Sequence, residues 1–271
     1  MSNEFRLIDT HAHVAAAQFD TDRADVLARA AAAGVARIVE IGYDLKSSRA
    51  AVALAESHPQ IYAVVGVQPN HAHEVSEGWF DELRALAARP KVVGIGEIGM
   101  DYHWKVAPPD LQERLFRDQL ALARELGLPV VIHSREAQDD TLRILDDAAH
   151  GQPGIMHSFS GGWAFAQACL AVGFMLSFSG PLTFPKATEL HEAARLAPLE
   201  MLLTETDSPY LSPHPQRGTR NEPARVRLVA ERLAALRGLP LEVLADQIWR
   251  NAERIFHFDK VSGVRCQRDS S

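Results

Sequence analysis

The strongest constraint on this chain is a rhythm. Short apolar runs rich in β-branched residues alternate with longer Ala/Leu/Arg/Glu-rich runs of helical period. The apolar runs fall at 5–10, 37–42, 61–67, 92–97, 129–133, 154–157, 174–179 and 201–205. Helical runs follow each in turn, at 21–33, 46–57, 79–88, 109–126, 136–149, 163–172, 186–196 and 223–237. Eight β–α units in that order predict an α/β chain folded as one (β/α)8 barrel. Runs such as KVVGIG and VVIH are apolar on both faces, as parallel strands covered by helices are. Pro109 suits a first helical turn, and Gly34, Gly127 and Gly173 suit helix ends. A further helix at 241–256 is expected to pack outside the ring, so that one domain spans 1–260 and a polar tail occupies 261–271.

Composition narrows the class without naming a chemistry. The two cysteines, Cys169 and Cys266, make no disulfide framework, and the first residues lack a signal peptide's basic and apolar regions. The expectation is therefore a reducing, cytoplasmic setting. No apolar stretch approaches about 18 residues, so no membrane span is expected. Against 35 acidic residues stand 28 Lys and Arg, a formal charge of −7. Any anionic polymer would have to be held locally, by a few arginines or by bound cations.

The chemistry gathers at strand ends. His11 and His13 stand two apart at the end of the first strand, so both side chains face one side. Glu97, His133 and His157 end the fourth, fifth and sixth strands, and Asp207 follows the eighth with Glu205 two residues before it. The C-terminal strand ends of such a barrel form its active-site face, so these groups are expected to converge. Burying several carboxylates together without cations is costly. Four imidazoles plus carboxylates, with no thiolate, suit Mg2+, Mn2+ or Zn2+. Five or six ligands exceed the needs of one tetrahedral ion, so two divalent ions about 3.5–4 Å apart are expected, with Glu97 as the bridge.

With these residues in view, the sequence resembles the TatD-type metal-dependent deoxyribonucleases of the amidohydrolase-like barrels. The matching stretches are IDTHAH at 8–13, GEIGMDYHW at 96–104, PVVIHSREA at 129–137, MHSFSGG at 156–162, SFSGPLTF at 177–184, LLTETDSPYL at 202–211 and RGTRNEP at 217–223. The resemblance implies His11, His13, Glu97, His133, His157 and Asp207 as metal ligands. It also implies hydrolysis of DNA phosphodiesters from a 3′ end, on single strands; no obligate protein partner is expected. Two departures stand out. Val14-Ala15 replaces the family's usual Leu-Asp, and Gln68 stands where a histidine is usual. His71 and His73 either compensate for Gln68 or are surface histidines.

Asp207 is the expected general base and Glu205 the second choice. Arg135 is expected to hold a phosphate, or else to salt-bridge a neighbouring carboxylate. The loop carrying Arg217, Arg220 and Arg225 is expected on the substrate side, and Glu222 is either functional or a helix cap. Tyr102, His103 and Trp104 either stack unpaired bases or plug the barrel mouth. Two other functions compete. An amide, lactone or ester hydrolase on the same barrel would share every metal ligand, and the arginine loop would discriminate it. A noncatalytic nucleic-acid or metal-binding relative would show a degenerate ligand set, whereas every position here is filled.

Overall fold

The computed structural model describes residues 5–258; Cys266 and the expected polar tail lie outside them. Eight parallel strands form one sheet in sequence order: β1 (Leu7–Ala12), β2 (Val35–Ile41), β3 (Ile61–Val65), β4 (Val92–Asp101), β5 (Val130–Arg135), β6 (Gly154–Met156), β7 (Phe174–Phe178) and β8 (Leu202–Thr204). The helices between and after them are α1 (Arg23–Ala32), α2 (Leu45–Ser57), α3 (Trp79–Ala87), α4 (Pro109–Leu126), α5 (Gln138–Ala148), α6 (Trp163–Ala171), α7 (Thr188–Leu196) and α8 (Val226–Arg237). A last helix, α9 (Leu241–Phe256), packs against β1 and β8. This is the expected (β/α)8 barrel. No described helix is long and apolar enough to cross a membrane.

Local chemistry sets several of the ends. Asp44 accepts the Ser47 amide while the Ser47 hydroxyl accepts the Asp44 amide, a reciprocal cap that starts α2. Gly127 closes α4 in the left-handed region at φ 65°, where a side chain would be penalised. The strands are buried along nearly their whole length, as expected of a sheet covered on both faces.

Two features of the frame aim the site. The ring closes between β8 and β1 through an Ala12–Ser208 bridge, with the His13 amide bonded to Ser208 O and the Asp207 amide to His11 O, each at 2.8 Å. The seam itself therefore holds three of the expected ligands together. β4 runs four residues past the expected end at Glu97, to Asp101. Gly99 makes this possible: its φ is 142°, and a Cβ there would lie 2.0 Å from His133 O.

Candidate active site

The six expected ligands meet at the C-terminal mouth of the barrel. His11 and His13 bring their Nε2 atoms within 3.3 Å of each other. Asp207 Oδ1 lies 3.5 Å from the first and 3.3 Å from the second. Glu97 Oε2 reaches His11 Nε2 at 3.7 Å, while Glu97 Oε1 lies 2.7 Å from His133 Nδ1 and 3.3 Å from His157 Nε2. One carboxylate thus turns one oxygen to each of two histidine groups, the arrangement a bridging ligand needs. His11, His13 and Glu97, then Glu97, His133 and His157, and also His11, His157 and Asp207 each form a group able to hold an ion.

The donors fit divalent cations. Two imidazole nitrogens stand 3.3 Å apart, joined by a shared proton in this state and able to turn their lone pairs to a cation instead. Burial, and then the neighbouring His157, hold His11 well below the usual histidine range, which leaves it neutral with a lone pair to give. Burial opposes ionisation of Glu97, but the charge of His157 and the His133 hydrogen bond outweigh it and keep Glu97 well below the carboxylate range. Burial likewise opposes charge on His13 and His133. Asp207 lifts the former, and Asp101 with Glu97 the latter, each to about 9. Protons on these rings balance the carboxylates when no cation does, and a divalent ion would take their place.

Three of the four imidazoles are fixed from behind. His13 Nδ1 donates to Ile41 O at 2.8 Å, His157 Nδ1 to Glu205 Oε1 at 2.8 Å, and His133 Nε2 to Asp101 Oδ2 at 2.9 Å. Such contacts set the ring's orientation and raise its basicity toward an ion. They also correct one expectation. Glu205 is 1% exposed, accepts the Ser158 amide as well as His157, and does not line the cavity, so it is no candidate for a base. Asp101 was not foreseen, although it shares strand parity with Glu97. Its carboxylate also accepts the amides of His103 and Trp104 and the Asn70 side chain. Burial raises Asp101, but the His133 hydrogen bond and these donors dominate and hold it at about 2.

Glu40 on β2 was not foreseen either. Its buried carboxylate accepts the amides of Val14 and Ala15 at 2.7 and 2.8 Å, the two residues that depart from the family pattern. Glu40→Ala strands both amides. It is expected to lower stability by about 2–6 kcal/mol, at roughly 1–3 kcal/mol for each unsatisfied group, read from the urea midpoint at unchanged slope.

Above the cluster opens a cavity of about 770 Å³. Arg135 lines it, with its guanidinium 5.4 Å from the Trp104 ring, and makes no ion pair among the described residues. Trp104 also lines the cavity and is 60% exposed. Tyr102 and His103 do not: the Tyr102 hydroxyl donates to Asp140 at 2.6 Å, and His103 pairs with Glu136 at 2.6 Å. Nor are the loop arginines brought there. Arg220 is clamped by Asp22 and stacks on Phe19, Arg217 stacks on Phe184, and Arg225 donates to Ser212 and Thr219. Glu222 caps nothing with its side chain and instead pairs with Arg29. His71 and Gln68 reach the cavity wall, whereas His73 stands outside it beside Glu74. Cys169 is buried, which pushes its thiol up to about 12, so it offers no thiolate nucleophile.

A parallel (β/α)8 barrel with a histidine–carboxylate cluster at its C-terminal mouth is the frame of a metal-dependent hydrolase. The profile of the TatD-related DNase family matches residues 8–257, and the chain belongs to that family. An uncharacterized metal-dependent hydrolase, YabD of Bacillus subtilis, is 43% identical over 254 residues, covering 93% of this chain and 100% of YabD. The 3'-5' ssDNA/RNA exonuclease TatD of Salmonella typhimurium is 36% identical over 256 residues, covering 92% and 98%. The crystal structure of the TatD homolog YJJV of Escherichia coli superposes with a TM-score of 0.88 at 32% identity, covering 94% of this chain and 99% of that one.

Proposed function

We propose that the chain is a nuclease that shortens single-stranded DNA from the 3′ end. In this reading His11, His13, Glu97, His133, His157 and Asp207 hold two divalent ions, Mg2+, Mn2+ or Zn2+. The observation that carries it is Arg135, a guanidinium in the wall of the cavity that covers the cluster, paired with no carboxylate among the described residues. Its place over the cluster, and the match of a planar guanidinium to phosphate oxygens, suit a phosphodiester. The loop arginines are engaged with the scaffold, so discrimination against a neutral substrate falls on Arg135. The Salmonella relative, named as an exonuclease on single strands, supports the same substrate class.

When bound, the ions supply positive charge to phosphate oxygens and lower the pKa of adjacent water toward 7. The chain's own groups do the rest. Asp207 borders the cavity, with Oδ1 among the imidazoles, and takes the proton as water attacks phosphorus. The P–O3′ bond to the remaining strand breaks as the new P–O bond forms, and the leaving 3′ oxygen takes a proton from water to become a hydroxyl. Arg135 grips a flanking phosphate, while Asp101 and Glu205 keep His133 and His157 from turning away.

The test is a strand labelled at its 5′ end. A ladder that shortens from the 3′ end supports the proposal, whereas intact strands beside hydrolysis of a neutral ester or lactone favour the other substrate class. Arg135→Gln is expected to weaken DNA binding and to reduce the log–log salt slope by about 0.7, one single-strand phosphate's worth. Metal content should not change. A slope equal to wild type removes Arg135 from the phosphate path.

A further inference from the structure

Three of the exposed large apolar side chains line this one cavity: Trp104 at 60%, Tyr210 at 50% and Leu211 at 38% exposure. Their places in the ring matter. Trp104 follows β4 and Tyr210 follows β8, strands four positions apart in a ring of eight, so their loops face each other across the mouth. Between them lies the imidazole–carboxylate cluster. On the β8 side, Tyr210 and the half-buried Tyr43 both meet the His13 ring edge-on, at 6.1 and 5.4 Å. On the β4 side, Arg135 stands over Trp104. Each ledge thus offers a flat aromatic surface beside a charged centre, and neither is buried as a packing role would require.

Resting on the nuclease reading, we infer that Tyr210 and Trp104 are two base-stacking ledges that part neighbouring bases of a single strand and lay the phosphate between them over Asp207 and Glu97. Tyr43 walls the Tyr210 ledge, and Arg135 takes the phosphate next to the Trp104 ledge. Aromatic stacking is tolerant of sequence because every base has a π-face. A duplex already spends those faces on its own stack, so only an unpaired strand can spread its bases onto both ledges. Selectivity for single strands then resides in two side chains and needs no reading of base edges.

The experiment measures kcat and KM of wild type, Tyr210→Ala and Trp104→Ala on 5′-labelled strands in which one base at a time, counted from the 3′ end, is replaced by an abasic residue. Metal content and folding of each variant are checked first. On the unmodified strand each variant is expected to raise KM about 5- to 150-fold, the range of one lost base stack, with kcat little changed. At one abasic position Tyr210→Ala should no longer differ from wild type, and at a different position the same should hold for Trp104→Ala. Wild-type KM in both variants overturns the inference, as do variant and abasic effects that multiply at every position. A wild-type protein that cuts no strand overturns the nuclease reading along with it. Cleavage that is indifferent to both variants overturns the ledges alone.

Discussion

Glu97→Ala is expected to lower kcat/KM on single-stranded DNA by about 10³-fold or more, because in the proposed two-ion site its carboxylate is shared by both ions, and such ions contribute several kcal/mol to the transition state. The loss should appear in metal content as well. With Oε1 and Oε2 gone, the His11–His13–Asp207 group and the His133–His157 group lose their shared anion. Metal analysis should find fewer than two ions per chain, and added metal should not restore the rate. Near wild-type kinetics with full loading would show that Glu97 is not the bridge.

Asp207→Asn is expected to behave differently. The amide keeps an oxygen where Oδ1 stands but cannot take a proton, so the rate should fall by about 10²–10⁴-fold, the usual weight of a general base. Ion binding should survive better than in Glu97→Ala, since His11 and His13 remain in place. The informative quantity is therefore the ratio of rate loss to metal loss across the two variants. A high rate in Asp207→Asn would move the proton to another group lining the cavity. Glu205 is not that group, because it is buried behind His157.

The fold and the residues that meet at the barrel mouth were legible because both follow from short-range pattern. Period-two and period-3.6 apolar runs announce parallel strands under helices, and parity along a strand places His11 with His13. The groups behind the ligands were harder to read, because they depend on which residues of neighbouring strands stand opposite. Asp101 reaches His133 only because β4 continues past Glu97 and pairs Gly99 with His133 and Asp101 with Arg135. The apolar pattern ended at Glu97, and nothing in the run 98–101 announced that the strand continues. Glu40 reaches Val14 and Ala15 from the next strand, 26 and 25 residues along the chain. Arg220 was misread for a related reason: its partner Asp22 lies 198 residues earlier, and nothing local marks a guanidinium as already engaged. Tyr210 stood in plain view within LLTETDSPYL, but motif and periodicity do not say which aromatic rings stay uncovered.

Chelator-stripped protein, titrated with Mg2+, Mn2+ or Zn2+ while bound ions and cleavage of end-labelled single-stranded DNA are followed in the same samples, tests the metal-dependent nuclease most directly. No cleavage by the stripped protein, with cleavage returning as two ions bind per chain, is the expected result. Full cleavage by protein verified to be free of metal would contradict it.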